Sequence, residues 1–297
     1  MMGHLNFFMV YLQTERRLSP HTITAYRGDL NAFAAFLSEN YPEMRLTDSK
    51  HQHIRSWMVD LVKEGQTARS VNRKVSALRS FYKFLQRGGH ISTSPCTAIQ
   101  ALKIPKRLPV FVREAEMSTL NKLPKDPGFR GVRDRLLVDL LYMSGMRRAE
   151  LIALEDSDLD KSRGLLRVLG KGGKMRLIPI AEELAAQIEA YQDLRNEKFP
   201  NTEISSLMVT DAGKKLYPKM VYNVVKRYLS AVTSQKNKGP HVLRHSFATH
   251  LSDHGADINA LKNLLGHASL AATQIYTHNS AEKLKQVYKL AHPKSGN

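Results

Sequence analysis

Apolar residues repeat at intervals of three and four through the first third of the chain, which is the period of an amphipathic helix. In LSPHTITAYRGDLNAFAAFLSEN, Ile23, Tyr26, Leu30, Phe33 and Leu37 keep that spacing, with Ser19 placed to cap the helix and Pro20 suited to its first position. HQHIRSWMVDLVKEG repeats the pattern more briefly and stops at Gly65. TARSVNRKVSALRSFYKFLQRGG sets Val71, Val75, Leu78, Tyr82 and Leu85 on one face. The second half is mixed. DRLLVDLLYMSGMRRAELIAL predicts a helix, a break at Gly145 and a second helix, whereas LLRVLGKGGKMRLIPI has two apolar arms around a glycine turn and predicts a β-hairpin. AEELAAQIEAYQDLRNEKF, YPKMVYNVVKRYLSAV, HVLRHSFATHLSDHG, DINALKNLLG and SLAATQIYTH then predict helices, several closed by glycine. Between the halves, KIPKRLPVFV carries prolines and no helical period, so 103–112 is expected to be an extended linker. The expected fold is mainly α with a small β-hairpin, in two domains: a helical one over 1–102 and a mixed α/β one over 113–297.

The second face of the TARSVNRKVSALRSFYKFLQRGG helix points to a ligand. Arg69, Arg73, Ser76, Ser80, Lys83 and Arg87 form a stripe of cations and hydroxyls with no acid on it. Such a stripe can follow a phosphate backbone or lie in a major groove. A merely solvated charged face is the plainer alternative. Lys103, Lys106 and Arg107 continue the positive charge into the linker. Across the chain, 45 Lys and Arg oppose 27 Asp and Glu, for a net charge of +18. Before Pro105 the count is 14 basic against 7 acidic residues, and after it 31 against 20, so both halves share the excess. A polyanion held between two basic domains is the simplest partner, with DNA or RNA foremost.

The remaining composition excludes other classes. At 42% hydrophobic and 24% charged residues the chain has the make-up of a soluble globular protein, and no apolar run approaches the length of a membrane span. Its N-terminus lacks the basic and small-residue marks of a secretion signal. Cys96 is the only cysteine, which rules out an internal disulfide and a multi-cysteine metal site. A cytoplasmic protein without a membrane partner is expected.

HVLRHSFATHLSDHG places four histidines and an arginine in fifteen residues. His241 and His245, like His250 and His254, are four apart, a spacing that suits zinc. Against zinc stand Arg244 on the same turn and the absence of HExxH. GKGGKM fails the phosphate-loop spacing and sits between two strands, which leaves nucleotide binding weak. A purely structural role fits His245, His250 and His254 better than it fits His241 and Arg244, since arginine is rarely buried without an anion. A phosphoryl-transfer site accounts for the last pair. In-line attack on a phosphodiester builds negative charge on the non-bridging oxygens, and guanidinium groups meet it with paired donors that stay protonated. Histidine can donate to the same oxygens or take a proton near neutral pH.

Such a site needs further groups, and the chain offers them. SGMRRAEL puts Arg147 after the Gly145 break, near a helix start whose N–H groups point outward. GKGGK sets Lys171 at the hairpin tip, and LLGHASLAATQIYTH supplies His267 and then Tyr276. A tyrosine nucleophile would keep the energy of the broken bond in a phosphotyrosine ester, so resealing would need no ATP.

With these motifs the chain resembles a tyrosine recombinase (phage-integrase family) of the Xer type, over nearly its whole length. The family's TGLRxxEL, GKGxKxR, HxLRHSFATHL and LGHxxxxTTxxYTH are similar to SGMRRAEL, GKGGKMR, HVLRHSFATHL and LGHASLAATQIYTH here. Ala272 stands where a threonine is common, at a position without a catalytic role. SPHTITAYRGDLNAF and the helix from Arg69 to Arg87 resemble the SAM-like core-binding domain, and AHPKSG resembles the His-Pro tail of Xer proteins. The resemblance implies that Arg147 and Arg244 clamp the scissile phosphate, with His267 donating to it. It implies that His241 helps deprotonate Tyr276, that Lys171 protonates the departing 5′ oxygen, and that Glu150 supports the Arg147 region. It further implies a homo- or heterotetramer on two double-stranded DNA sites, a Holliday-junction intermediate, and docking of the segment Ala281 to Ala291 on a neighbouring protomer. A related recombinase and a DNA translocase are candidate further partners. No metal, nucleotide or other cofactor is expected.

Absence of an added arm-binding domain favours dimer resolution, tied to chromosome partition and cell division, over the integration or inversion of a mobile element. A type IB topoisomerase would use the same chemistry on one duplex, and recombined products from two-site plasmids separate the two. A non-catalytic DNA-binding regulator would cut nothing.

Overall fold

The computed structural model describes residues 2–105, 110–124, 126–170, 173–200, 202–266, 288 and 291–292. The chain divides into two compact units, Met1–Arg107 and Leu108–Asn297.

The first unit holds α1 (Met2–Thr14), α2 (Pro20–Asn40), α3 (His51–Lys63) and α4 (Ala68–Arg87). Ser19 caps α2 as expected: its hydroxyl accepts the Thr22 N–H at 3.3 Å, and Pro20 occupies the first turn. Thr67 does the same for α4 through the Ser70 N–H. All five apolar residues expected on the inner face of α4 are buried, joined by Ala77 and Phe81. They close on Phe8, Leu12, Phe33, Ile54 and Trp57 from the other three helices. Each large side chain so buried contributes about 1.5–3 kcal/mol. Tyr82 keeps its hydroxyl satisfied inside that core by donating to the Leu46 carbonyl at 2.9 Å.

Asn72, on the flank of α4, reads the backbone of Leu102 in both directions. Its amide donates to the Leu102 carbonyl and its carbonyl accepts the Leu102 N–H, both at 2.8 Å. Arg79 holds the Ile99 carbonyl two turns along α4. The chain therefore leaves the unit along a fixed line.

In the second unit α6 (Phe129–Ser144) is buried almost all round, packed by α8 (Glu182–Lys198), α9 (Pro218–Val232) and α10 (Pro240–Asp253). The other elements are α5 (Glu114–Ser118), α7 (Arg148–Ala153), α11 (Ile258–Leu265) and a sheet of β1 (Leu159–Asp160), β2 (Leu165–Leu169) and β3 (Met175–Pro179). The strands run antiparallel in the order β1-β2-β3. Leu165 pairs with Pro179 and Leu169 with Met175, which is the expected hairpin. β1, two residues long, is too short to show an alternation and was not expected. α6 begins at Phe129, more than a turn before the helix that the apolar period predicted from Asp134. Val112, expected as the last residue of the linker, is fully buried in this unit's core, and its N–H donates to the Ser246 hydroxyl at 2.8 Å.

Part of the positive charge is internal. Arg133, Arg176 and Arg195 are buried. Arg195 grips Asp156 through both terminal nitrogens, at 2.7 and 3.0 Å, and also donates to the Ser206 and Leu207 carbonyls. The number of basic residues after Pro105 thus overstates the number at the surface, while buried Asp134, Asp139 and Glu150 balance the three buried arginines and leave the net excess unchanged.

Replacing Asn72 by alanine leaves both Leu102 groups without their side-chain partner, a cost of about 1–3 kcal/mol. The expected result is a lower unfolding midpoint and faster tryptic cleavage at Lys103; an unchanged digestion rate would show that other contacts hold the exit segment.

Candidate active site

The site starts at a glycine. α6 ends in Gly145, which has a left-handed φ of 60°. A Cβ there would stand 2.3 Å from the ring of Phe247, so both conformation and space demand glycine. The tight turn aims the next residues across the end of α6, and Arg147 becomes the N-cap of α7. Its backbone N–H does not face outward for an anion, as its place near a helix start suggested. It donates to Glu150 Oε2 at 2.7 Å. What remains available is the guanidinium, 34% exposed, with Nη1 donating to Glu150 Oε1 at 2.8 Å.

Arg244 comes from the second turn of α10. Nη1 donates to the Gly145 carbonyl at 2.6 Å and Nη2 to the Leu265 carbonyl at 2.5 Å. Those carbonyls close α6 and α11, where the helix dipoles are negative and the carbonyls lack helical partners. Arg147 Nη2 lies 3.5 Å from the Gly266 carbonyl, the next along. Burial, then the charge of Arg147, lowers the Arg244 pKa to about 10, against an opposing pull from Glu150. It remains a cation at neutral pH. Arg147, Arg176 and Arg244 thus share the field of one carboxylate, Glu150, and leave positive charge to spare.

His241 lies one helical step from Arg244 on α10 and is exposed. Its pKa is lowered by partial burial first, then by Arg148, His245, Arg244 and Arg147. Its imidazole is therefore neutral and able to accept a proton near pH 7. His250 is buried with Nδ1 at 2.9 Å from the Tyr142 hydroxyl, and His254 Nδ1 lies 2.7 Å from the His250 carbonyl. Both have structural surroundings. Among the described residues no group of three His, Cys, Asp or Glu side chains is placed to hold a metal ion.

Sequence reasoning missed Arg176. It stands on the inward-facing register of β3, 3% exposed, and forks onto Glu150 with Nη1–Oε1 at 3.0 Å and Nη2–Oε2 at 2.8 Å. Nε donates to the Leu264 carbonyl at 2.9 Å. The alternation of the β3 arm was the available signal, since it puts Arg176 on the same side as Ile178. Burial alone would raise the Glu150 pKa, but the bonds from Arg176 and from Arg147 outweigh it and hold the carboxyl below its usual range.

Lys171, His267 and Tyr276 lie outside the described residues, as do Lys106, Arg107 and most of Ala281 to Ala291. Tyr288 and Ala291 of that last segment are buried against Phe247, Leu251, Leu264 and Leu265 of the same chain. On α4, Arg69, Ser76, Lys83 and Arg87 are exposed and Ser80 is half-buried. Ser76 spends its proton on the Asn72 carbonyl at 2.9 Å. Arg73, also exposed, is paired with buried Asp29 of α2, which Lys74 approaches to 3.6 Å. The acid missing from the α4 stripe arrives from another helix, so Arg73 is not a free cation.

Residues 110–283 match the Phage integrase family, and residues 5–89 match the Phage integrase, N-terminal SAM-like domain. The tyrosine recombinase XerC of Chlorobaculum parvum is 37% identical, over 96% of this chain and 93% of its own. That of Pelobacter propionicus is 37% identical over 99% and 97%. The chain belongs to the phage integrase family. It is a Xer-type tyrosine recombinase, and the expected fold class, a helical N-terminal domain followed by a mixed catalytic domain, holds. The fold is shared with XerH recombinase bound to palindromic difH substrate in a post-cleavage complex (TM-score 0.72, 20% identity, 96% of this chain and 84% of that one). It is shared too with a lambda integrase tetramer bound to a Holliday junction (TM-score 0.65, 21% identity, 90% and 77%).

Gly145→Ala forces a side chain into a left-handed turn and into Phe247, at a combined cost of about 2–4 kcal/mol. The recombinase variant should unfold at lower denaturant, and Phe247→Leu in the same chain should recover part of the loss. Equal midpoints for wild type and variant would mean that the turn rearranges freely.

Proposed function

We propose that this recombinase cuts and rejoins DNA strands at a specific site through a 3′-phosphotyrosine intermediate on Tyr276, with no metal or nucleotide. The observation that carries the reading is the convergence of Arg147 and Arg244 beside the end of α11, with three arginines set against one carboxylate. Two guanidinium groups there would hold the non-bridging oxygens of the scissile phosphate, joined by His267, which follows Gly266 directly. The Tyr276 oxygen would bond to phosphorus as the bond to the 5′ oxygen breaks. His241, kept neutral by partial burial and then by its cationic neighbours, would take the phenol proton, and Lys171 would protonate the leaving oxygen. Glu150 holds Arg147 in place. Attack by a 5′ hydroxyl of another strand reverses the sequence and reseals the duplex.

Strand exchange requires paired sites, and a tetramer of this chain, alone or with a related recombinase, would act on two of them through a Holliday junction. The α4 stripe of Arg69, Ser76, Ser80, Lys83 and Arg87 would track one side of the duplex. Segment 103–112 would be a strap between domains 1–102 and 113–297, with Lys106 and Arg107 along the duplex and its end anchored by buried Val112. Resolution of chromosome or plasmid dimers is the biological task best supported, given relatives that carry the XerC name over nearly the whole chain.

Tyr276→Phe should bind its site like the wild type and yield no covalent adduct on a nicked suicide substrate, with EDTA leaving wild-type adduct formation unchanged. An adduct from the phenylalanine protein would remove Tyr276 from the role, and a loss on chelation restored by zinc would revive a metal site. Arg69→Ala with Lys83→Ala should lower the slope of log affinity against log salt by about one for each phosphate no longer neutralised. Arg73→Ala, already opposed by Asp29, should change it less; an equal change would show that Arg73 leaves Asp29 for DNA.

A further inference from the structure

Arg176 is more enclosed than the arginines proposed to touch phosphate, and it touches both Glu150 and the end of α11. Its fork fills two of the four acceptor positions of Glu150, and Arg147 fills the other two with its N–H and Nη1. Its Nε takes the Leu264 carbonyl. Two glycines lie against it. A Cβ on Gly266 would come within 3.1 Å of Arg176 Cδ, and one on Gly170 within 3.6 Å of Nη1. Gly170 precedes Lys171 and Gly266 precedes His267, so one side chain packs beside the stems of both.

The charge count gives this position its consequence. Glu150 and Arg147 alone form a neutral pair, and a neutral pair has little attraction for a phosphodiester. A second guanidinium on the same carboxylate leaves the trio with one net positive charge. Arg176 is buried and cannot meet the substrate, whereas Arg147 is partly exposed. We infer that Arg176 is a positioning residue that neutralises Glu150 from the buried side and so leaves the Arg147 charge free for the scissile phosphate. This rests on the phosphotyrosine reading above. A carboxylate that is needed to orient Arg147 would otherwise cancel it, and Arg176 separates the two effects. The hydrogen bond from Arg176 is the foremost of the influences that lower the Glu150 pKa, so its removal raises that pKa.

The test is single-turnover adduct formation on a nicked suicide substrate, beside DNA affinity and thermal unfolding, for wild type, Arg176→Met, Arg176→Lys and Arg176→Met with Glu150→Gln. Arg176→Met should slow adduct formation about 100-fold, the scale of losing one oxyanion donor. Its DNA affinity should stay within about threefold, because affinity is spread over many phosphate contacts. Adding Glu150→Gln removes the carboxylate that now cancels Arg147, and should raise the rate of the methionine variant about tenfold or more. Arg176→Lys keeps the charge without the fork and should be at least about tenfold faster than the methionine variant. As the pH falls, the methionine variant should gain on the wild type, because without the Arg176 bonds Glu150 takes up its proton at a higher pH than in the wild type. A double variant no faster than Arg176→Met, or a lysine variant as slow, would reduce Arg176 to a structural ion pair. Should the methionine variant fail to fold, the rates of the lysine and double variants relative to wild type decide on the same grounds. A wild-type protein that forms no adduct sinks the phosphotyrosine reading, whereas an active wild type without rescue sinks only this inference.

Discussion

Three successive carbonyls at the end of α11, those of Leu264, Leu265 and Gly266, accept from Arg176, Arg244 and Arg147 in turn. A helix C-terminus leaves its last carbonyls unpaired and carries a partial negative charge, so it attracts cations without fully neutralising them. Here it gathers guanidinium groups from a strand, a helix and a turn that are far apart in the chain. Like charges would otherwise repel one another at this distance. The helix end and Glu150 together make their assembly tolerable while leaving a positive site beside the residue that precedes His267.

The arrangement is better understood as specification than as stability. Burying Glu150 and Arg176 strips both of water, and a buried ion pair rarely returns more than that costs. What it provides is geometry: a planar fork on a carboxylate permits one orientation, and that orientation sets the strand bearing Arg176 against the helix start bearing Arg147. Gly145 and Gly266, both with left-handed φ, supply the two turns that let backbone carbonyls face inward toward Arg244. Stability in this unit comes instead from the apolar surroundings of α6, whose buried side chains form the wall behind the site.

The first unit shows the same difference between formal and effective charge. Along α4 the cationic stripe looks unopposed in one dimension, yet Asp29 reaches Arg73 and Lys74 from α2. Asn72, on the same helix, spends its amide on Leu102, fixing where the chain leaves the bundle. One helix thus serves the core, the charged face and the exit of the linker, with each task on its own side.

Periodicity in the sequence was enough to assign α2, α3, α4, the β2–β3 hairpin and the helices from α8 to α11, because local spacing of apolar side chains decides which face must be buried. Motif order proposed Arg147, Glu150, His241 and Arg244 as site candidates, since residue type limits which groups can meet a phosphate, and the fold brings Arg147, Glu150 and Arg244 together. The two-residue strand β1 and the early start of α6 escaped that reading, being held by pairing and packing that leave no local period. Arg176 and Asp29 escaped it for a related reason: whether a charge is free depends on partners brought near by folding, Glu150 from 26 residues away and Arg73 from 44. Residue type and order limit which groups the chemistry can draw on; folding sets which of their charges are already spent, because charge neutralisation is a matter of distance in space.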